Sequence, residues 1–531
     1  MSSSAQVARR RARSEVLLVA VVLVCGVALR VREAAFGYLS PDEAMHVALA
    51  APEDWSERLA SALLSSHPPL LIFVQHWVNG LGPAEWALRL IPLTCGSLVP
   101  LLVYLWLRRS WGTTAAVAGL VLTAFSPRLI SLSAEIRSYS TALLALSISL
   151  WLLERGLQRR SAAHLAAASC AMFLAVAADF SSVFLVLGAG FYFLIRARQL
   201  ALAPGLYVAW SVGQGAALAL LVWLHRAQVV DFTSSSARDD ATGQWLRGAF
   251  LQHGDNPAVF AVSASVKQFA YFFASVPAGV VAATVALAAL LLLLLGKPAR
   301  NRDASLAWFV LLFSPLLANL LAAMVQVFPF GRSRHTAYCG IVIAALLGIA
   351  AQHCIRRRQA ALAATALLLV PVWLVSASED PLQVPRALRH KRHVHRLLDE
   401  VRPLMTPGSL FLLDAQSGWL LFHYLDLGPR PRGDERQLQL LRRDGCDIAV
   451  LDWRPKDRDY FTAAWRELER TVGTERAATA WIIDGGFPTA YPGTLRTGFR
   501  HLAVDERLAV GPFRLFRLPE GLPEASPAEA P

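Results

Sequence analysis

The chain has 531 residues, of which 55% are hydrophobic and only 17% charged, with a mean hydropathy of +0.43. Soluble proteins carry about 25% charged residues, and several apolar runs here reach the roughly 17–25 helical residues that cross a bilayer core. An ordinary soluble protein is excluded, and so is a β-barrel, because the runs are continuous rather than alternating. The net charge of +13 does not signal nucleic-acid binding, since the arginines cluster in short links between apolar runs, where the positive-inside rule puts them.

Residues 1–14 carry Arg9, Arg10, Arg11 and Arg13, followed by the apolar run Val16–Leu29. A basic head and a short apolar core fit a secretory signal. No convincing cleavage site follows, so the run reads as a retained span, with Arg30 and Arg32 snorkelling to the far surface. Residues 32–86 then read as a long outer loop. Further spans are expected near 88–107, 113–130, 138–153, 162–178, 180–195, 200–224, 269–295, 304–328, 336–352 and 360–377, about eleven in all. Alternation places Arg108/Arg109, Arg155/Arg159/Arg160, Arg196/Arg198, Lys297/Arg300/Arg302 and Arg356/Arg357/Arg358 inside. The acids Asp179, Asp231, Asp239, Asp240 and Asp255 fall outside. The N-terminus is then cytoplasmic and the C-terminus extracytoplasmic. A second long outer loop is expected over 225–267.

From about 380 the composition is that of a soluble domain. Four short apolar runs, 409–414, 447–452, 480–484 and 513–518, read as buried strands, with polar helices at 384–402 and 459–472. The expected fold class is mainly α: a polytopic transmembrane helix bundle over 1–379, with a small extracytoplasmic α/β domain over 380–520. A disordered tail at 521–531 follows.

Four stretches carry candidate chemistry. In YLSPDEAMHVALA (38–50), Asp42 and Glu43 are adjacent, so on a helix or turn they point different ways and suit two roles. A carboxylate near an apolar surface serves as a base towards a hydroxyl. The same Ser40-Pro41-Asp42-Glu43 run is also an ordinary helix start. In SPRLISLSAEIRSY (126–139), Glu135, Arg137 and Tyr139 begin a span. A cation is disfavoured at that end of a helix, so Arg137 calls for an anion: Glu135, a lipid head group or a bound phosphate. In FPFGRSRHTAY (328–338), Arg332, Arg334 and His335 occupy an outer loop that the charge rule would leave neutral, and Gly331 offers a bend for anion-binding amides. Lys267 is a further candidate for that phosphate site. In HKRHVHR (390–396) the histidine spacing does not put three ligands on one helix face, so a basic helix on anionic lipid is the better reading than a metal site. The six cysteines show no metal or disulfide spacing. Neither metal nor cofactor is expected.

PDEAMHVAL (41–49), HPPLLIFVQHWVNGLGPAEWALRLIP (67–92) and SAEIRSYS (133–140), in this order, resemble the fold-type-C (GT-C) membrane glycosyltransferases. The nearest branch is the bacterial one related to protein O-mannosyltransferases and the lipid A aminoarabinose transferase. The resemblance covers about residues 16–155 well, the later spans weakly, and the C-terminal domain not at all. It implies transfer of a sugar from a polyprenyl-phosphate donor to a glycan, lipid or protein acceptor. The reaction would occur outside the cytoplasmic membrane, by inverting direct displacement. It further implies that Asp42 is the base and that Glu43 holds the acceptor or orients Asp42. His67 lies beside the cavity, and Glu135 and Arg137 form the family's Glu-x-Arg pair. Arg137, with Arg332 or Arg334, would neutralise the leaving phosphate. Two departures stand out: Ala134 replaces a common Gln, and Asp179-Phe180-Ser181-Ser182 stands where relatives often have His-Tyr. The alternative is a transporter or flippase of a lipid-linked anion, which would need the cations but not Asp42.

Overall fold

The structure is a computed structural model that describes residues 3–63, 67–229, 246–295, 302–356, 388–427, 438–443, 445–451, 458–485 and 505–518. The chain divides into two compact units. Unit 1 comprises residues 1–35, 52–235 and 246–381, and unit 2 comprises 36–51, 236–245 and 382–531. The segment 36–51, expected within the membrane domain, thus groups with the C-terminal residues.

Unit 1 is helical. In chain order it holds α1 (Ser3–Phe36, whose last residue enters unit 2), α3 (Trp55–Leu63), α4 (Leu70–Asn79), α5 (Glu85–Leu88) and α6 (Leu90–Ser110). Next come α7 (Thr113–Phe125), α8 (Pro127–Ser133), α9 (Tyr139–Arg159), α10 (Ala162–Ala178), α11 (Ser182–Gln199) and α12 (Pro204–Leu224). The unit ends with α13 (Pro257–Phe273), α14 (Val276–Leu295), α15 (Arg302–Met324) and α16 (Cys339–Arg356). Among the described residues, six helices are long and apolar enough to cross a membrane, or seven if the bent pair α7–α8 counts as one span. Leu70–Asn79, Ala162–Ala178 and Cys339–Cys354 are shorter apolar helices. This is a multi-pass membrane protein, with fewer full-length spans than the eleven apolar runs suggested. The run 360–377 lies outside the described residues.

Both supposed long loops contain helices. Residues 32–86 hold α3 and α4, together with α2 (Pro41–Leu49) of unit 2, and α13 begins within 225–267, at Pro257. The expected span 269–295 is broken at Ala274, where φ is +47°, so α13 and α14 are separate.

The expected span 113–130 is also broken. Ser126 accepts a hydrogen bond from the Leu129 amide, Pro127 opens α8, and the two halves meet at 59°. A break at membrane depth frees backbone carbonyls that lipid cannot satisfy. Arg30 from α1 supplies the donors. Its guanidinium donates to Thr123 O and Ala124 O, both at 2.8 Å, and to Gly26 O at 3.0 Å, while Nε donates to Ser133 Oγ at 3.2 Å. Arg30 is only 1% exposed. It does not snorkel, because the broken helix offers it better partners than the surface. At the other end of α1, Arg89 Nη1 donates to Ala34 O at 2.6 Å.

Unit 2 is a three-layer α/β fold. Its strands are β1 (Leu410–Leu413), β2 (Leu438–Arg443), β3 (Cys446–Leu451), β4 (Trp481–Asp484), β5 (Asp505–Val510) and β6 (Phe513–Arg517), in the order β2-β3-β1-β4-β6-β5. The central β3-β1-β4 strands are parallel and the flanking pairs antiparallel. Parallel strands buried on both faces read as continuous apolar runs, and this is why 409–414, 447–452 and 480–484 were legible. One face packs on α17 (Arg392–Val401) and α18 (Ala415–Tyr424), the other on α19 (Arg458–Val472) and α20 (Thr474–Ala478).

The HKRHVHR stretch leads into α17. Val394, Leu397, Leu398 and Val401 are buried against the sheet, and His393 bonds Leu388 O through Nδ1 at 3.0 Å. The apolar face is therefore covered by its own domain, while Lys391, Arg392, His395 and Arg396 are exposed. The segment 36–51 joins the same side. Gly37 pairs with His390, the Leu39 amide donates to Tyr424 Oη at 2.9 Å, Tyr38 packs 5.5 Å from Phe513, and α2 packs on α18.

Candidate active site

The proposed acids sit at the N-terminus of α2, in unit 2. Ser40 is the N-cap: its Oγ accepts from the Glu43 amide at 3.3 Å, and Glu43 Oε2 accepts from the Ser40 amide at 2.8 Å. This reciprocal capping box accounts for the Glu43 carboxylate, which is 2% exposed. Asp42 is half-buried at the next position back. Its backbone carbonyl accepts from His46 Nδ1–H at 2.6 Å, so a buried histidine stiffens the turn that carries the acid. His46 lies within a quoted motif, yet sequence reasoning assigned it no part.

A second cluster lies within unit 1. The turn between α8 and α9 presents Glu135 and Arg137, each 4% exposed, and Tyr139, fully buried. The turn is held close to α6, because a Cβ on Gly96 would collide with Ser133. Glu135 Oε1 accepts from Ser131 Oγ at 3.3 Å, and its Oε2 lies 3.7 Å from Arg334 Nη1. The Tyr139 hydroxyl is 3.4 Å from His335 Nδ1, and its ring lies 6.0 Å from the Arg137 guanidinium carbon. His67 stands edge-on to Tyr139 at 6.0 Å and stacked on His335 at 6.1 Å. The structure thus gathers His67, Glu135, Arg137, Tyr139, Arg334 and His335 from three separated stretches. Arg332 is exposed beside them in sequence, and Lys267 is exposed on α13.

Of three residues that sequence reasoning gave no role, Gln268 and Gln228 hold this cluster and Asp179 lies within reach of the Arg137 charge. Gln268 is fully buried, and its Oε1 accepts from the Gly331 amide at 3.1 Å and Thr336 Oγ1 at 2.8 Å. It pins the loop bearing Arg334 and His335 at Gly331, whose φ of +109° suits glycine. Gln228 Nε2 donates to His67 O at 3.0 Å. Asp179 follows α10, is 4% exposed, and accepts from Ser181 Oγ at 2.7 Å and the Ser181 amide at 3.3 Å. Burial pushes its carboxyl up to about 6, against the opposing pull of Ser181 and the Arg137 cation. Its only sequence signal was the departure from the family's His-Tyr.

Two arginines and two carboxylates in a largely buried group leave the charge near balance. A pair of imidazoles and a tyrosine hydroxyl add further hydrogen-bonding groups. Such a group is equipped to receive an anion and to stabilise charge that develops on it. Among the described residues, no three His, Cys, Asp or Glu side chains gather as metal ligands do.

Residues 66–223 match the dolichyl-phosphate-mannose-protein mannosyltransferase family. The fold is similar to that of ArnT from Cupriavidus metallidurans in the apo state. That similarity covers 96% of this chain and 99% of the other at 15% identity, with a TM-score of 0.53. ArnT from the same organism bound to undecaprenyl phosphate matches 94% of this chain and 97% of the other, at 15% identity and a TM-score of 0.50. No curated protein sequence matches the chain. The fold is that of the GT-C membrane proteins, and the family match covers residues 66–223 of the 531. Within that fold the chain is similar to ArnT and to the protein O-mannosyltransferases.

Proposed function

We propose that the protein transfers a sugar from a polyprenyl-phosphate donor to an acceptor glycan, lipid or protein on the outer side of the cytoplasmic membrane. The observation that carries this reading is the family match over 66–223, which contains His67, Glu135, Arg137, Tyr139 and Asp179 of the unit 1 cluster. The related ArnT has been captured with undecaprenyl phosphate, a ligand of the same chemistry as the proposed leaving group. Transport or flipping of a lipid-linked anion gains no support from the family match or the fold.

In the proposed reaction the acceptor hydroxyl gives its proton to Asp42 as its oxygen attacks the anomeric carbon. The bond from that carbon to the donor phosphate oxygen breaks with inversion, and polyprenyl phosphate leaves with the bonding electrons. Glu43 and His46 hold the Asp42 turn. Arg137 and Arg334, with His335 and the exposed Arg332 and Lys267, bind the phosphate and offset its growing charge. Such fixed cations act most strongly where water is scarce.

The topology supports this placement. Tyr139 and Arg159 are the first and last residues of α9, and its 21 residues span about 30 Å at 1.5 Å each. Arg155, Arg159 and Arg160 mark the cytoplasmic end by the positive-inside rule, which favours an extracytoplasmic position for the Tyr139 end. The N-terminus is then cytoplasmic.

Asp42→Asn tests the reading. Turnover of a polyprenyl-phosphate sugar, followed by mass analysis in purified membranes, is expected to fall by about 10²–10⁴-fold, the usual worth of a general base, while polyprenyl-phosphate binding persists. Wild-type turnover in the variant would remove Asp42 from the mechanism.

A further inference from the structure

The segment that carries Asp42 is tied to the C-terminal residues of unit 2 group by group. It leaves α1 at Phe36, whose carbonyl accepts from the Lys391 amide at 3.3 Å. Gly37 then pairs antiparallel with His390, and the Tyr38 amide donates to Arg389 O at 3.2 Å. The Leu39 amide donates to the Tyr424 hydroxyl at 2.9 Å, and the Ser40 amide to Glu43 Oε2 at 2.8 Å. Pro41 has no amide hydrogen to place. Every backbone donor from Tyr38 to Pro41 is thus satisfied, as buried backbone requires, and two of the three acceptors lie on Arg389 and Tyr424. The side chains agree. Tyr38 is buried beside Phe513, Leu39 is fully buried, and α2 packs on α18. A helix of nine residues is marginal alone in water, so α2 depends on this docking for its shape.

We infer that the C-terminal domain positions the base: Tyr424, the last residue of α18, and Phe513, the first of β6, fix where Asp42 stands. With Asp42 as the base proposed above, on which this reading rests, both are positioning residues, and neither needs to touch substrate. The Tyr424 hydroxyl is the handle, because it accepts from the buried amide immediately before the capping box. Without it the Leu39 N–H is stranded in an apolar place, and the chain shifts to find another acceptor, carrying Asp42 with it. A misplacement of about 1 Å at a reacting group costs on the order of 10²-fold in rate. The residues proposed to bind the donor phosphate belong to unit 1 and do not depend on this hydroxyl.

The test is a double-mutant cycle on the full chain in purified membranes, with the polyprenyl-phosphate sugar that the wild-type protein turns over. Tyr424→Phe keeps the ring and removes the hydroxyl. Its kcat should fall about 10–10²-fold, with KM for the donor and retention of polyprenyl phosphate unchanged. In the Asp42→Asn background, where no base remains to be placed, the same substitution should leave the residual turnover unchanged. An equal fall in both backgrounds would show a general structural role and overturn the positioning. Wild-type kcat in Tyr424→Phe, or a raised KM with kcat unchanged, would overturn it equally. Phe513→Leu, which thins the packing beside Tyr38, is judged by the same criteria and stands in if Tyr424→Phe does not fold. Wild-type turnover in Asp42→Asn alone would remove the base and the positioning together. Loss of turnover there, with Tyr424→Phe unaffected, would remove the positioning alone.

Discussion

Two buried carboxylates, one in each unit, meet arginine in opposite ways. Asp447 on β3 accepts from Arg442 at 2.8 Å and lies 2.5 Å from Arg476 Nη2. The hydrogen bond from Arg442, with further help from Arg476, holds its carboxyl below the ordinary range despite its burial. Asp179 accepts from the neutral donors of Ser181, its hydrogen-bond partner among the described residues, and burial wins, raising it to about 6. The difference lies in direct charge-assisted bonds, which are roughly twice as strong as neutral ones and here outweigh the cost of leaving water. In unit 2 the acid and its arginines clamp an edge strand to the sheet centre. In unit 1 the buried charge falls inside the family-matched segment, where the proposed reaction needs a cation.

The sharpest way to break this contrast is Arg137→Ala. Sugar transfer is expected to drop about 10²–10³-fold, as when a preorganised donor is removed from a site of developing charge. Retention of polyprenyl phosphate should weaken with it. Unchanged binding and turnover would place the phosphate elsewhere and leave both arginine groups structural.

Next in size is a pair of pH effects with opposite signs. The Asp179 carboxyl is raised, so its stabilising contribution is fully present below about pH 4, the ordinary aspartate value, and is lost as pH rises through about 6. The full loss is about 3 kcal/mol at 1.36 kcal/mol per unit. Asp447 is lowered, so its contribution is present above the ordinary range and disappears as pH falls below it. Melting curves from pH 3 to 7 should show Asp179→Asn flattening the loss on the rise from 4 to 6, and Asp447→Asn flattening the acid limb. The same limb flattened by both variants would refute the contrast.

Asp447→Ala should destabilise unit 2 by about 1–3 kcal/mol, the usual cost of stranding buried polar partners. The exposure of Arg442, 72% at the side chain, limits its share. Turnover at low temperature should be unaffected. Proteolysis of the sheet no faster than in the wild type would show the clamp to be idle. The smallest effect is expected from Gln268→Ala, which removes two hydrogen bonds from the Gly331–Thr336 loop. At about 1 kcal/mol each, this should loosen donor binding a few-fold with little change in melting, and identical affinity would show that the loop holds its shape without the amide.

Residue patterning carried the broad class a long way. Long apolar runs with basic links required a polytopic bundle, and the parallel strands β1, β3 and β4 were legible because burial on both faces leaves an unbroken apolar run. The edge strands β2 (LQLLRR) and β5 (DERLAV) went unseen, because an edge keeps polar residues on its open side and so loses the apolar signal. The turn at 126–127 announced itself with Ser-Pro, but its consequence did not. Arg30 is 93 residues from Thr123, and an arginine near a span end looks the same in sequence whether it snorkels or caps carbonyls in another helix.

Sequence alone determined a membrane chain with a polar segment bearing Asp42 and Glu43 and a Glu-x-Arg turn at a helix end, whose motifs resemble those of the GT-C glycosyltransferases, because hydropathy and motifs are local properties. Tertiary structure decided which side chains share a site. It closed Glu43 into a capping box, gathered His67, Tyr139 and His335 within about 6 Å of one another, and joined Leu39 to Tyr424 across 385 residues. Those outcomes depend on which partner best satisfies a buried polar group, and that is settled only when distant segments meet.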